Sequence, residues 1–423
     1  MRRPPAALRA RGVRARPDPP WRGCGRLRQV TVLTWVAGVS LLAWVWLLLA
    51  QGFFWRTDVR LPGPEEGPGG GADAWPTVAV VVPARDEAAV LPLSLPSLLA
   101  QDYPGRAEVF LIDDGSTDGT GETARSLGAL HGGLPLTVDS PGELPAGWTG
   151  KLWGVRHGIA LATERTGAEY LLLTDADIAH EPDSLRALVA AARAADLDMV
   201  SLMARLRVET VWERLIVPAF VYFFAQLYPF RWINRPGGRT AAAAGGCVLI
   251  RRSAVEAARV PESIRHAVID DVALARAVKG GGGRIWLGLA DRVDSVRPYP
   301  DLGELWRMVS RSAYAQLRHN PAVLAATVAG LVLVYLVPPL AALGGAAAGA
   351  WPLCALGAAA WAVMAGTYLP MLRYYRQPLW PAPLLPFTAA LYLLMTVDSA
   401  VQHYRGRGAA WKGRTYARPD ASV

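Results

Sequence analysis

Cysteine is scarce in this sequence and is never paired in a motif. The three cysteines, Cys24, Cys247 and Cys354, are far apart along the 423 residues. Disulfide frameworks and cysteine-based zinc sites need cysteines in recognisable, closely spaced patterns. Their scarcity therefore argues against both classes of protein.

Charged residues are missing from four long apolar stretches. The chain is 52% hydrophobic, with a mean hydropathy of +0.21, which is high for a purely soluble protein. Each stretch approaches or exceeds the roughly 20 residues that a helix needs to span a bilayer. We expect an integral membrane protein with a polar domain between apolar ends, the stretches being Val30–Trp55, Ala322–Ala342, Ala350–Leu372 and Leu379–Val397.

The composition divides the chain into six predicted parts. They are a disordered basic head (1–29), a transmembrane helix (30–55), a linker (56–76), the polar domain (77–320), C-terminal transmembrane or re-entrant segments (321–401) and a basic tail (402–423). The net charge of +9 comes with arginine crowded in the head and beside the C-terminal segments. Such flanking charge is typical of membrane proteins, so we expect no nucleic-acid partner.

The polar domain alternates apolar strands with helices. Continuous apolar strands between helices indicate a parallel sheet that is covered on both faces. Ligands bind such sheets beyond the carboxyl ends of the strands, where "PARDE", "DDGSTD" and "TDADIAH" are found. The strands are predicted at Thr77–Val82, Glu108–Ile112 and Glu169–Thr174, and their helices at Ala88–Ala100, from Thr120 and from Pro182.

Two common motifs are absent from these turns. A dinucleotide-binding fold needs G-x-G-x-x-G after its first strand, and "PARDEA" has none. The turn "DDGSTDG" fits the first positions of a calcium-binding EF-hand loop, but position twelve is Arg125 instead of glutamate. Taken alone, this turn could equally be a solvated cap of the next helix, and a lone "TDAD" is a weak signal.

The ordered set of motifs is far more specific than any one of them. "VVVPARDE", "LIDDGSTDGT" and "LLLTDAD" appear in order at strand ends, followed by "AAAAGGCVLIRRSAV" and "ESIRHAVIDDVALARAV". Together they resemble the family 2 glycosyltransferases, which implies a GT-A fold: an α/β, Rossmann-like, mostly parallel sheet with helices on both faces. "LPAGWTGKLWG" is similar to the hopene-associated and carotenoid-type membrane enzymes of that family.

The resemblance implies roles for several acids. Asp177 would ligate Mg²⁺ or Mn²⁺, and Asp175 would hold the ribose or support the metal, because carboxylates plus substrate phosphates suit these cations. Asp271 would be the catalytic base, and the lack of a second nucleophilic carboxylate implies inversion. Without the upstream motifs, Asp271 would be read as an acid favoured at a helix N-terminus.

The donor implied by the resemblance is a nucleotide sugar, with a UDP-sugar expected. Asp114 resembles the residue that reads the pyrimidine base, with Asp113 in support. Lys151 is expected to contact phosphate, although it could also be an exposed loop lysine. The other donor-binding residues implied are Pro83, Arg85, Glu87 and Gly246.

A lipid acceptor, hopanoid or another polyisoprenoid, is expected. Leu215–Phe230 has no charge and many aromatics, which favours an interfacial helix, with a buried core helix as the alternative. The Gln-x-x-Arg-Trp motif of processive synthases is absent from "ELWRMVSRSAYAQLRHN". Trp306, Arg307 and Arg311 there could act at the diphosphate or form a basic amphipathic helix. A processive synthase and a non-catalytic nucleotide-sugar-binding scaffold remain alternatives.

The expected topology contains a conflict. Nucleotide sugars are cytoplasmic, so the polar domain should face the cytoplasm from the cytoplasmic membrane. The arginine-rich head predicts the reverse, unless it is an upstream extension from a misplaced start. The tail "GAAWKGRTYARP", with Trp411, Lys412 and Arg414, is expected on the side of the polar domain or as a plain basic tail. The former requires Leu379–Val401 to be re-entrant or interfacial.

Overall fold

The computed structural model describes residues 21–62, 75–406, 410–411 and 414–415. Residues 1–20 of the predicted head, most of the linker and Lys412 lie outside the described residues. Residues 21–29, which were expected in the disordered head, belong to a helix instead. In the tail, Ala410–Trp411 and Arg414–Thr415 form a short antiparallel pair in which Trp411 lies opposite Arg414.

A mixed eight-stranded sheet forms the polar domain, with strand order β3-β2-β1-β4-β7-β6-β8-β5. Four pairs are parallel (β1–β2, β1–β4, β2–β3 and β6–β8), and three are antiparallel (β4–β7, β6–β7 and β5–β8). The strands are β1 (Val78–Ala84), β2 (Ala107–Asp113), β3 (Leu136–Asp139), β4 (Tyr170–Thr174), β5 (Ile178–His180), β6 (Met199–Arg205), β7 (Cys247–Arg251) and β8 (Ile285–Ser295).

The sheet is buried on both faces, as its continuous apolar strands predict. Along β1, Val78, Val80 and Val82 join one hydrophobic cluster, whereas Ala79 and Val81 join the other. Successive side chains of a strand point to opposite faces, so both layers are filled from the same short run. The predicted α/β architecture is therefore confirmed, although the sheet is mixed: β7 is antiparallel to β4 and β6, and the edge strand β5 is antiparallel to β8.

Helices surround this sheet close to the predicted positions. The helix expected from Ala88 begins at Leu91, and the one expected from Pro182 begins at Ser184. The helices of the domain are α2 (Leu91–Leu99), α3 (Thr120–His131), α4 (Gly150–Thr166), α5 (Ser184–Ala194), α6 (Val211–Leu227), α7 (Phe230–Ile233), α8 (Arg252–Ala258), α9 (Asp270–Gly280) and α10 (Leu302–Gln316).

Within the described ranges, four helical segments are long and apolar enough to cross a membrane: Arg28–Leu49, Pro321–Ala347, Trp351–Tyr374 and Ala382–Tyr404. They contain α1 (Trp21–Leu49), α11 (Pro321–Leu331), α12 (Val337–Ala347), α13 (Trp351–Tyr374) and α14 (Leu385–Tyr404). A π-helical turn, Val332–Leu336, joins α11 to α12 just before Pro338. Because proline has no amide proton, Pro338 cannot donate to the Val334 carbonyl four residues earlier. Trp44 Nε1 donates to that carbonyl instead, at 2.6 Å.

Helix α6 packs between the sheet and the apolar C-terminal helices α13 and α14. Tyr222 is fully buried and its hydroxyl hydrogen-bonds Thr367 Oγ1 at 2.8 Å, while Tyr392 Oη donates to the Ile216 carbonyl at 3.0 Å. The expectation of an interfacial helix at Leu215–Phe230 is therefore wrong for most of its length, and the buried alternative holds. Its short apolar run gives no sign of the helices that cover it.

Candidate active site

A cavity of about 1120 Å³ lies between the carboxyl ends of the central strands and helices α6, α10 and α14. Seven of the predicted site residues line it: Pro83, Glu87, Lys151, Asp175, Asp177, Gly246 and Asp271. They come from turns separated by up to nearly two hundred residues of sequence. Strands β1 and β4 are parallel, so the turns that follow them lie at the same edge of the sheet. Strand β7 is antiparallel to β4, so the loop that precedes β7, with Gly246, lies at that edge as well.

Lys151, at the start of α4, joins two of the acids. Its Nζ lies 2.8 Å from Asp175 Oδ1 and 3.1 Å from Asp270 Oδ2. Burial disfavours the ammonium, but the two carboxylates outweigh it and raise the pKa of Lys151 above its usual value. The lysine therefore stays charged and ties the end of β4 to the start of α9, instead of being an exposed loop residue.

Arg297 holds the second acid of the "TDAD" pair. Its Nε donates to Asp177 Oδ2 at 2.7 Å, and its Nη2 reaches both Glu87 carboxylate oxygens at 2.8 Å. No sequence motif points to this arginine, which follows the end of β8. In the sequence, Arg297 is a single arginine after a predicted strand, and nothing separates it from other arginines in similar positions.

Asp175 and Asp177 fit a hard divalent cation that is shared with a ligand. Both carboxylates face the cavity, and each is matched by a cationic side chain. Among the described residues, no group of three or more His, Cys, Asp and Glu side chains could hold a metal alone. One or two carboxylates completed by substrate phosphates are the usual arrangement for Mg²⁺.

Asp271 lies at the first turn of α9 beside this cluster. Its Oδ2 accepts from the Gly245 amide at 3.1 Å, and its Oδ1 accepts from the Val272 amide at 2.7 Å. Burial and the charge of Asp270 raise the pKa of Asp271 to about 7, against the opposing effect of Lys151. A carboxylate with this pKa can accept a proton near neutral pH, which an ordinary exposed aspartate does poorly.

Gly246 contributes through its backbone. Its carbonyl accepts from Thr174 Oγ1 at 2.8 Å and from the Asp175 amide at 3.3 Å, which fixes the end of β4. A Cβ at this position would come within 3.1 Å of the Ile178 side chain. The close approach of the two turns therefore favours glycine.

Arg85, Asp113 and Asp114 are not among the residues that line the cavity. They lie in the two adjacent turns, where Arg85 donates to the Asp114 carbonyl and Asp113 Oδ1 accepts from the Ser116 amide at 3.0 Å. Asp114 is 2% exposed. These turns are also joined by the Glu87 amide, which donates to Thr120 Oγ1 at 2.8 Å.

His180, the last residue of β5, serves the fold. It is buried, and its ring nitrogens hydrogen-bond Thr174 and Ser184 at 3.0 Å each. Burial lowers the pKa of His180 to about 4, so the ring is neutral at physiological pH.

The far end of the cavity is formed by α6, α10 and α14. Phe220 and Phe224 line one wall, and Trp306 Nε1 donates to Asp398 Oδ2 at 2.9 Å on another. Arg307 and Arg311 also line the cavity from α10, so this basic helix faces the site. The sequence alone does not show that Asp398 lines this cavity, because an isolated acid in an apolar segment gives no sign of the direction in which it points.

Comparisons with known proteins agree with this architecture. The family model described as glycosyl transferase family 2 matches residues 79–258. The mannosyltransferase PcManGT from Pyrobaculum calidifontis, solved in complex with GDP-Man and Mn²⁺, is similar over 88% of this chain and 99% of its own, with a TM-score of 0.50 and 20% identity. That similarity supports the GT-A fold.

Two curated relatives are similar over shorter stretches. A 4,4'-diaponeurosporenoate glycosyltransferase from Staphylococcus haemolyticus is 34% identical over 24% of this chain and 24% of its own. An undecaprenyl-phosphate mannosyltransferase from Micrococcus luteus is 33% identical over 28% of this chain and 46% of its own. The chain thus spans less than half the length of these relatives. The match over residues 79–258 identifies this part of the chain as a family 2 glycosyltransferase domain.

Proposed function

We propose that this protein is an inverting, metal-dependent glycosyltransferase that moves one sugar from a nucleotide-sugar donor to a membrane lipid. The observation that carries the proposal is the single cavity that joins Asp175, Asp177 and Asp271 to a helix long and apolar enough to cross a membrane. A donor and a lipid headgroup can meet in that space.

The donor end would use the acids of β4. A Mg²⁺ or Mn²⁺ ion held by Asp177, with Asp175 in support, would offset the charge of the leaving diphosphate. The complex of PcManGT with GDP-Man and Mn²⁺ supports this choice of cofactor. Lys151 and Arg297, which neutralise the two acids, are suited to turn toward donor phosphates.

Recognition of the nucleobase would fall to the neighbouring turns. Asp114 is buried beside Arg85 and would read a pyrimidine edge, with Asp113 ordering the turn. Pro83 and Gly246 would shape the walls around the donor. A UDP-sugar fits this proposal, and a panel of donors tests it.

Asp271 would act as the base. Its carboxylate would take the proton of the acceptor hydroxyl while that oxygen attacks the anomeric carbon and the bond to the diphosphate oxygen breaks. The sugar would leave with inverted configuration, because only one displacement occurs. Lys151 and Asp270 would set the charge around this carboxylate.

A polyisoprenoid or hopanoid lipid is the proposed acceptor. The named substrates of the curated relatives, a diaponeurosporenoate and an undecaprenyl phosphate, are both isoprenoid lipids. Phe220 and Phe224 provide an apolar wall beside the site. The absence of Gln-x-x-Arg-Trp favours a single transfer over processive synthesis.

The catalytic domain would face the cytoplasm from the cytoplasmic membrane. Helix α14 contacts α6 through Tyr392 and α10 through Asp398 and Ser399, so much of it lies against the catalytic domain. This supports an interfacial or re-entrant last segment, with the tail on the side of the domain.

A panel assay tests the proposal. Purified full-length protein in nanodiscs is incubated with Mn²⁺, several nucleotide sugars and several isoprenoid lipids, and products are identified by mass spectrometry. We expect a lipid heavier by one sugar residue. A ladder of products would favour a processive synthase, and donor binding without transfer from any donor would favour a non-catalytic scaffold.

A further inference from the structure

Helix α14 presents polar side chains to the cavity from an otherwise apolar segment. Four of its residues line the cavity as two pairs, each one helical turn apart: Asp398 with Gln402, and Ser399 with His403. An ionisable residue in a helix of membrane-spanning length is costly, and such residues usually have a function. We define the rim cluster as Trp306, His319, Asp398, Gln402 and His403.

The rim cluster is held by contacts between α10 and α14. Asp398 Oδ2 accepts from Trp306 Nε1 at 2.9 Å, and its Oδ1 accepts from Gln402 Nε2 at 3.3 Å. His403 stacks on His319, with ring centroids 4.2 Å apart and planes within 17°. Each carboxylate oxygen can accept two hydrogen bonds, so Asp398 keeps acceptor capacity toward the cavity.

The neighbouring Ser399 has a different task. It accepts from the Tyr314 amide at 3.0 Å and donates to the Ser310 carbonyl. These two hydrogen bonds hold α14 against α10 and use the Ser399 hydroxyl both as donor and as acceptor. The rim cluster is therefore set in a rigid wall, and Ser399 is not part of the cluster.

The rim cluster is separate from the chemistry. Asp271 belongs to the donor end, on α9, whereas the rim cluster is on α10, α14 and the residues just before α11. A group that binds the rim cluster therefore lies on the acceptor, away from its reacting oxygen.

We propose that the rim cluster binds further hydroxyl groups of an uncharged, polyhydroxylated acceptor headgroup. Carboxylate, amide and imidazole groups together accept and donate hydrogen bonds, as neighbouring hydroxyls require. The carboxylate of Asp398 repels a phosphate or carboxylate at this position, and Arg307 is matched by Glu304 at 3.8 Å. The indole of Trp306 adds an apolar face beside them.

The test rests on the proposed sugar transfer and uses the full-length protein in nanodiscs. Acceptors share one isoprenoid chain and carry a polyol, a single hydroxyl or a phosphate. Asp398→Ala and Gln402→Ala are compared with wild type, and Thr396→Val is the matched control. Thr396 is on the same helix, its hydroxyl donates to the Tyr392 carbonyl one turn earlier, and it does not line the cavity.

We expect each rim variant to raise the KM for the polyol lipid about tenfold, the effect of losing one or two hydrogen bonds. Donor affinity should stay within about twofold, and the control should match wild type. The single-hydroxyl lipid should show a smaller change. Conservative Asp398→Asn, which keeps an oxygen acceptor, should recover part of the loss.

An unchanged KM for the polyol lipid in both rim variants overturns this inference, as does a wild-type preference for the phosphate lipid. Failure of the proposed function has a different signature, since wild type would then transfer sugar to none of the acceptors. Thermal unfolding of each variant separates a misfolded protein from one that has lost the contact, and Gln402→Ala keeps the test open if Asp398→Ala does not fold.

Discussion

At the residue scale, the proposed chemistry depends on the pKa of Asp271. Burial and the neighbouring charge of Asp270 raise the pKa of its carboxyl to about 7, and the ammonium of Lys151 opposes them. The motif in the sequence predicts this residue as the base, which stays a prediction. The shift in its pKa could not be predicted from the sequence, because Lys151, which affects that pKa, is more than a hundred residues away in the chain.

The pH dependence of transfer should report this carboxyl. If Asp271 is the base, it must be ionised to act, so at saturating donor and acceptor the rate should rise about tenfold per pH unit below 7 and level off above it. Asp270→Asn removes a charge that raises the pKa, so its profile should shift to lower pH. Initial rates between pH 5 and 9 check both, and an Asp270→Asn shift to higher pH would contradict this account.

Arg297 shows what motif reasoning misses. Its partners, Asp177 and Glu87, are 120 and 210 residues away in sequence, and only the folded sheet brings them together. Such a contact has no local periodicity or spacing to reveal it. The acids at both ends of the bridge were predicted as site residues, but the cation between them was not.

Replacing Arg297 should cost both stability and donor binding. Arg297→Gln removes the guanidinium that bridges Asp177 and Glu87, which is 7% exposed, and we expect a loss of about 2 kcal/mol in unfolding free energy. Donor binding should weaken as well. Arg292→Gln is the control, because Arg292 pairs with Asp183 alone, away from the cavity. Equal donor affinity in the two variants would argue against a role for Arg297 in the site.

At the element scale, the strands were easier to predict than their directions. β1, β2 and β4 are continuous apolar runs followed by polar turns, so their existence follows from the sequence. The antiparallel pairing of β7 with β4 depends on the path of the long segment before it, which includes α6. An apolar run shows that a segment is buried, and it does not show what buries it.

The crossing of α12 and α13 is set by glycine. A Cβ at Gly357 would lie 2.4 Å from the Ala342 amide nitrogen and 2.7 Å from the Pro338 carbonyl oxygen, both backbone atoms. Gly357→Ala should therefore destabilise the protein by about 1–3 kcal/mol through overpacking. Gly366→Ala on the same helix meets nothing within 4 Å and is the control. Thermal unfolding in detergent checks both, and equal midpoints would contradict the close crossing.

At the scale of the whole molecule, the apolar segments were predicted from composition, but their arrangement was not. The structure has α1 donating hydrogen bonds from Ser40 and Trp44 to the helix that follows the catalytic domain, nearly three hundred residues later. Length and hydropathy identify a helix that can cross a bilayer. Length and hydropathy do not distinguish a helix that crosses a bilayer from a helix that lies against the catalytic domain, as much of α14 does.

The contacts of α14 lead to a prediction for topology. A reporter fused after Gly406 should have the activity expected on the cytoplasmic side, the same as a reporter inserted in the exposed turn at Gly132. The physical reason is that Tyr404 hydrogen-bonds Tyr314 of α10, so the end of α14 stays beside the catalytic domain. Reporters on opposite sides would show that α14 crosses the membrane.

The most direct test of the central claim is transfer of labelled sugar into the lipid phase by wild type and Asp271→Asn, with donor affinity measured in parallel. We predict a lipid product bearing one sugar of inverted configuration for wild type, a loss of 10²-fold or more in rate for the variant, and equal donor affinity for the two. Undiminished transfer by Asp271→Asn, with donor binding retained, would contradict the account.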